Sequence, residues 1–313
     1  MKRTSGIHHI TAIVGDPQVN MDFYAGLLGL RFVKKTINFD DPGTYHFYFG
    51  DDVGNPGTIM TFFPWSGAHR GRVGGGQVGW TTFVVPEGAL PFWKERLREA
   101  NVSVMEEVRF GETFLQFRDG HGLQLEIVAR SAGPQSNWTA EGIPVEYAIK
   151  GFGGALLFSL RPSETGKVLE KGLGLTRVGQ EGEMIRYQAT GDLGQVIDLE
   201  MNPVPVGNLG AGTVHHIAWR AKDDEDHLAW RQTIGQYGLV PTEIVDRQYF
   251  NALYFRESGG ILFEIATDPP GFQWDETYEK LGQELKLPAW YEPHREKIEA
   301  VLPKVIVPNG KRK

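Results

Sequence analysis

Gly6-Ile7-His8-His9-Ile10-Thr11-Ala12-Ile13-Val14 returns two hundred residues later as Thr213-Val214-His215-His216-Ile217-Ala218-Trp219-Arg220-Ala221. Both stretches are dense in β-branched and apolar residues, the composition of a buried strand. Each leads into a stretch of helical spacing, residues 19–28 and 224–237. Each then reaches a Gly-Leu pair, Gly29-Leu30 and Gly238-Leu239, where a helix is expected to stop. Weaker copies lie between. One opens at Val78-Gly79-Trp80-Thr81-Thr82-Phe83 and closes on Gly122-Leu123-Gln124-Leu125-Glu126-Ile127. The other opens at Gly154-Ala155-Leu156-Leu157-Phe158 and closes on Val196-Ile197-Asp198-Leu199-Glu200-Met201. A repeat at this period is one supersecondary unit used several times. The expected architecture is α+β: four βαβββ modules, near residues 6–65, 76–130, 151–202 and 212–267, paired into two domains with cupped mixed sheets. The expected division is residues 1–140 and 141–313, with the Ser-, Gly-, Pro- and Asn-rich segment 131–146 as linker. The tail after Pro269 carries Trp274, Tyr278, Trp290 and Tyr291 and is expected to pack on the body.

Composition narrows the function. The 313 residues carry 32 Lys and Arg against 39 Asp and Glu, a net charge of −7, which disfavours nucleic acid as a partner. Apolar runs such as residues 58–64 are far shorter than the ~20 residues of a membrane helix. The start of the chain has no apolar signal core, so a cytoplasmic location is expected. Cysteine is absent, which removes disulfides and thiolate ligands, so any metal must be held by His, Asp or Glu.

Four of the nine histidines stand as adjacent pairs at matched places in the first and fourth modules. The last strand of module four brings Glu264, one module's length after His216. Modules two and three bring Glu126 and Glu200 but no imidazole, so these carboxylates read as structural. Module one brings Thr61 where the others have a carboxylate. Two imidazoles and one carboxylate on one face leave coordination positions open, the ligand set of non-haem Fe(II) enzymes, though Zn²⁺ accepts the same donors. Strand alternation sends adjacent residues to opposite faces, so one member of each pair should turn away unless a bulge intervenes.

The repeat and these paired histidines resemble the vicinal oxygen chelate superfamily, which includes glyoxalase I, bleomycin-resistance proteins and extradiol dioxygenases. Within it, Gly-Ile-His-His-Ile-Thr followed by Val-His-His-Ile-Ala is similar to the hydroquinone ring-cleaving dioxygenases, over nearly the whole chain. The resemblance implies Fe(II) on the second His of each pair and the last carboxylate, which are His9, His216 and Glu264. It implies a pocket of His8, Thr11, His215, Arg247 and Tyr254, with His8 and His215, at ordinary pKa values near ~6.5, as acid–base groups. It implies a small aromatic substrate and O₂ as partners, neither nucleic acid nor membrane, and is compatible with a homo-oligomer. The alternatives are a glyoxalase-type isomerase or lyase, against which Thr61 argues, and a non-catalytic binding or resistance protein. The Gly74-Gly75-Gly76-Gln77-Val78-Gly79 match to a dinucleotide fingerprint precedes a strand rather than a helix, so it reads as a flexible connector. His227 reads as a surface residue of its helix, and His46 as core or rim.

Overall fold

Residues 2–308 and 310–312 are described in the structure, a computed structural model. The first module holds β1 (Ile7–Val14), α1 (Pro17–Met21, widening into a π-helical turn over Asp22–Leu27), β2 (Arg31–Asn38), β3 (Asp41–Gly50) and β4 (Ile59–Pro64). The second holds β5 (Gln77–Val85), α2 (Leu90–Glu99), β6 (Met105–Arg109), β7 (Glu112–Arg118) and β8 (Gln124–Ala129). After a short strand β9 (Trp138–Ala140), the third holds β10 (Gly151–Phe158), α3 (Pro162–Lys167), β11 (Thr176–Glu181), β12 (Met184–Gln188) and β13 (Val196–Glu200). The fourth holds β14 (Thr213–Ala221), α4 (Asp224–Gln236), β15 (Val245–Asp246), β16 (Phe250–Arg256) and β17 (Leu262–Pro270). The Asp16 carboxylate caps α1 by accepting from the N–H groups of Gln18 and Val19. Gly29 (φ 71°) and Gly238 (φ 80°) follow their helices in the left-handed conformation that glycine takes without strain.

Two eight-stranded sheets result, ordered β15-β16-β17-β14-β1-β4-β3-β2 and β11-β12-β13-β10-β5-β8-β7-β6. Inside a module the first strand runs parallel to the fourth. Modules join through antiparallel first strands, β1 with β14 and β5 with β10. Helices cover one face of each mixed sheet, and the other face curls into a cup. The expected division at residue 140 does not follow these sheets: modules one and four build one, modules two and three the other, so each sheet draws on both halves. The reason lies in the connections. Residues 65–76 leave the outer sheet, built by modules one and four, where residues 201–212 return to it from the inner sheet of modules two and three, and the two segments bond to each other (Gly71 N–H to Ala211 O, 2.9 Å; Asn208 N–H to Arg72 O, 2.8 Å). Gly74 and Gly75 sit in this crossing. A Cβ there would stand 2.3 Å from Pro205 O and 2.8 Å from Val204 O, so these glycines permit close backbone approach rather than flexibility.

The helix-facing sides form the core, with Trp93, Trp219 and Trp230 fully buried. Beyond β17 the tail folds back on the outer sheet. Its anchors are Phe272, Leu281, Leu287 and Ile298, whereas Trp274 and Trp290 stay largely exposed. The tail includes α5 (Arg295–Val301) and ends in β18 (Gly310–Arg312), which pairs with β9. Among the described residues no helix is long and apolar enough to cross a membrane.

Candidate metal centre

The seam between β1 and β14 resolves the problem of adjacent histidines. Ile7 pairs with Trp219 and His9 with Ala218, leaving His8 as an extra residue on β1. Thr11 pairs with His216 and Ala12 with Val214, leaving His215 as an extra residue on β14. The first histidine of each pair is thus a bulge residue, and the bulge turns it toward its neighbour instead of to the opposite face. The same registry relates the modules by an approximate twofold: His9 matches His216 and Thr11 matches Ala218.

The His8 and His9 Nδ1 atoms lie 2.9 Å apart, and His8 Nε2 lies 3.1 Å from the Thr267 carbonyl oxygen. A carbonyl only accepts, so His8 Nε2 carries the proton. Burial holds the His8 pKa well below its ordinary value, and His9 pushes it the same way, so His8 is neutral and its Nδ1 accepts. His9 Nδ1–H must therefore donate, which leaves the lone pair of His9 Nε2 facing inward. His216 is held alike, its Nδ1 lying 2.8 Å from His215 Nδ1.

Inward of these rings, His9 Nε2 and His216 Nε2 are 3.2 Å apart. Glu264 Oε2 stands 3.4 Å from the former and 2.9 Å from the latter. Donor atoms about 2.1 Å from one cation lie about 3 Å apart at right angles and about 3.4 Å apart in a tetrahedron. Glu264 is fully buried, yet neither carboxylate oxygen has a well-formed hydrogen bond, despite the short approach of His216. A buried carboxylate without partners is costly, and two imidazole nitrogens aimed at the same point complete a cation site. Among the described residues this is the one group of three or more such side chains arranged to hold a metal.

The second cup shows what an unused site looks like. Its residues matched to His9 and His216 are Trp80 and Gly154. Its carboxylates are Glu126 and Asp198, in register with Thr82 and Leu156 as Glu264 is with Ala218. Asp198, not Glu200, takes the module-three position. Both are occupied: Thr82 Oγ1 donates to Glu126 (2.6 Å), Arg109 donates to Glu126 (3.0 Å) and Asp198 (2.8 Å), and Arg186 donates to Asp198 (2.7 Å).

The outer cup opens into a cavity of about 440 Å³. Its waist is a closed circuit of rings: His9, Phe250, Tyr48, His46, Phe63, His215 and His216, each neighbour 4.1–6.5 Å from the next by centroid. Arg247 and Tyr254 also line it. Arg247 Nε donates to Tyr254 Oη (3.2 Å), and Arg247 Nη1 lies 3.1 Å from Asp40 at the mouth. Burial pushes the Tyr254 phenol far above its ordinary pKa, and Glu264 adds to this, so it stays protonated. Two expected pocket residues lie elsewhere. His8 faces a smaller cavity behind His9. Thr11 is fully buried, 2.8 Å from Thr61. His215 does line the main cavity, but burial lowers its pKa to about 3. The ordinary pKa expected for His8 and His215 is therefore replaced by two neutral imidazoles. His46 and Tyr48 were not evident as pocket residues, although period two along Tyr45-His46-Phe47-Tyr48 puts them on one face. His227 is buried, not on the surface, and donates from Nε2 to the Ile265 carbonyl (2.8 Å).

A family model described as the Glyoxalase/Bleomycin resistance protein/Dioxygenase superfamily matches residues 6–127 and 161–275. The chain belongs to that superfamily. Among its members, MhqO of Bacillus subtilis (strain 168), provisionally named a ring-cleaving dioxygenase, is 59% identical over 298 residues, 95% of this chain and 96% of that protein. The chlorohydroquinone/hydroquinone 1,2-dioxygenase of Sphingobium indicum (strain UT26S) is 35% identical over 298 residues, 91% and 92% of the two chains. A crystal structure of a protein provisionally named a dioxygenase, from Bacillus subtilis subsp. subtilis str. 168, superposes with a TM-score of 0.97 at 58% identity, covering 98% of this chain and 99% of that one. Glyoxalase I from Zea mays, at 14% identity and a TM-score of 0.63 over 84% and 92%, shares the fold. With these relatives, this superfamily member is an enzyme of the ring-cleaving dioxygenase kind.

Proposed function

We propose that the protein is an Fe(II)-dependent dioxygenase that uses O₂ to open the ring of hydroquinone-type aromatics, breaking the carbon–carbon bond beside a hydroxylated carbon. The observation that carries this reading is the coincidence of an open two-His, one-carboxylate site with a ring-lined cavity of about 440 Å³. Bound to His9, His216 and Glu264, iron supplies Lewis acidity and the electron transfer that lets O₂ react with a closed-shell ring. Tyr254, kept protonated, donates a hydrogen bond to a substrate oxygen as negative charge develops there. Arg247, fixed between Tyr254 and Asp40, holds Tyr254 and brings positive charge to that side of the cup. His215 has committed Nδ1 to His216 and presents the rest of its ring to the cavity as a neutral hydrogen-bonding group. His8 acts through His9, fixing which nitrogen faces inward. Thr61 occupies the place matched to Glu264, so the cup offers one carboxylate where glyoxalase-type chemistry draws on both modules.

The test is an oxygen electrode with Fe(II)-reconstituted protein. Uptake of O₂ on adding hydroquinone, with loss of the aromatic absorbance, is the expected result. Turnover of catechol alone points to an extradiol enzyme, and turnover without O₂ points to an isomerase. Glu264→Gln should lose stoichiometric iron; an unaltered iron content defeats the ligand assignment.

A further inference from the structure

Opposite Arg247 and Tyr254, the first module contributes a second polar wall. The β3–β4 register sets Tyr48 beside Thr61, just as the β16–β17 register sets Tyr254 beside Glu264. Tyr48 is therefore the twofold counterpart of Tyr254. Tyr48 Oη lies 2.9 Å from His46 Nδ1, His46 Nε2 lies 2.8 Å from Thr61 Oγ1, and Thr61 Oγ1 lies 2.8 Å from Thr11 Oγ1. Burial keeps His46 neutral, so its two nitrogens act as one donor and one acceptor, and both are used. Thr61 is used twice. The spare lone pairs at the end of this run belong to Tyr48 Oη, and Tyr48 lines the cavity. None of these four groups bonds to His9, His216 or Glu264, so metal binding does not account for them. If this wall served shape alone, Phe at 48 and Leu at 46 would do so without desolvating a phenol and an imidazole.

We propose that Tyr48 determines specificity by hydrogen-bonding the second hydroxyl of a para-dihydroxy ring. With one substrate oxygen on the Tyr254 side of the cup, the oxygen at the far end of the ring meets Tyr48 Oη. His46 and Thr61 are positioning residues that hold that hydroxyl in place. The inference rests on the hydroquinone reading above and deepens it. It places the metal carboxylate on module four and the discrimination between ring-hydroxylation patterns on module one.

Anaerobic calorimetry on Fe(II)-loaded protein tests this without turnover, using hydroquinone and phenol as probes. The wild-type protein is expected to bind hydroquinone about tenfold more tightly than phenol, the scale of one buried hydrogen bond. Tyr48→Phe, which removes a single oxygen, should erase that difference by weakening hydroquinone alone. His46→Leu should do the same, and His46→Gln, whose amide keeps a donor and an acceptor, should restore part of it. Equal wild-type affinities overturn the proposal, as does a Tyr48→Phe protein that loses phenol and hydroquinone alike. A wild-type protein that selects hydroquinone under argon but consumes no O₂ with it in air sinks the ring-cleavage reading and leaves the role of Tyr48 standing.

Discussion

His8 touches neither the main cavity nor the cation position, yet it sets the tautomer of a ligand. The chain of logic runs Thr267 carbonyl, His8, His9: an acceptor that cannot donate forces one tautomer on each imidazole in turn. Replacing His8 with Leu frees His9 to turn or to protonate inward. Metal affinity is expected to fall about 10–100-fold, measured by competition with a chromophoric chelator; an unchanged affinity would contradict the orienting role. Two further imidazoles make stability sensitive to mild acid. Burial lowers the pKa of His46 and His227 in the folded chain, and His227 Nδ1 has no partner there. The unfolded chain takes up these protons near pH ~6.5 while the folded chain does not. Their contribution is therefore complete above that pH and declines below it, by up to about 1.4 kcal/mol per pH unit per group. The melting temperature of chelator-treated protein should drop steadily from pH 7 to pH 5, and a flat profile over that window would count against it.

At the level of elements, the two cups are one device in two states. In the outer cup a buried carboxylate is left without hydrogen bonds; in the inner cup Arg109 and Arg186 bind its counterparts. The inner network is structural, and its members are almost wholly buried, with Arg109 and Glu126 at 5% and 0% side-chain exposure. Arg109→Met leaves Glu126 without its cation while Asp198 keeps Arg186, and is expected to cost about 3–5 kcal/mol, read from urea titrations. Its metal stoichiometry should match that of the wild type, because the cation site lies in the other sheet. Loss of metal in that variant would mean the two cups are coupled. The bulges at His8 and His215 belong to this scale too. Each inserts one residue at the seam, and without them the paired histidines would face opposite sides of the sheet.

For the molecule as a whole, the sheets interleave the chain's halves. Residues 1–140 contain β1 and β5 but neither of the strands, β14 and β10, that close their free edges; residues 141–313 have the complementary lack. Unpaired central edges of this length bind other chains or stay unfolded. Expressed singly, the halves are expected to aggregate or lack a cooperative melt, and co-expressed they should assemble into a metal-binding complex. A soluble, cooperatively melting 1–140 fragment would show that the division at residue 140 is a folding boundary after all.

The four modules, their helix stops, the two histidine pairs and Glu264 were legible because each rests on local facts, whereas His9 and His216 were chosen within their pairs by the family resemblance. Alternation, β-branching and a Gly after a helix are written within about ten residues of one another. Glu126 was legible as structural for the same reason. The choice of Asp198 over Glu200 depends on which residue stands beside Leu156, and that is a property of β10 paired with β13. The burial of His227, the neutral state of His8 and the second wall of His46 and Tyr48 depend on what packs against them. The pairing of module one with module four was already implied by the ligand set and is made by the β1–β14 seam, but that whole sheets would interleave the two halves was not. The sequence by itself determined which side chains were on offer and with what spacing. Only the tertiary structure decided which edges met and where a strand took an extra residue, because strand pairing and bulges are satisfied by a partner far away in the chain.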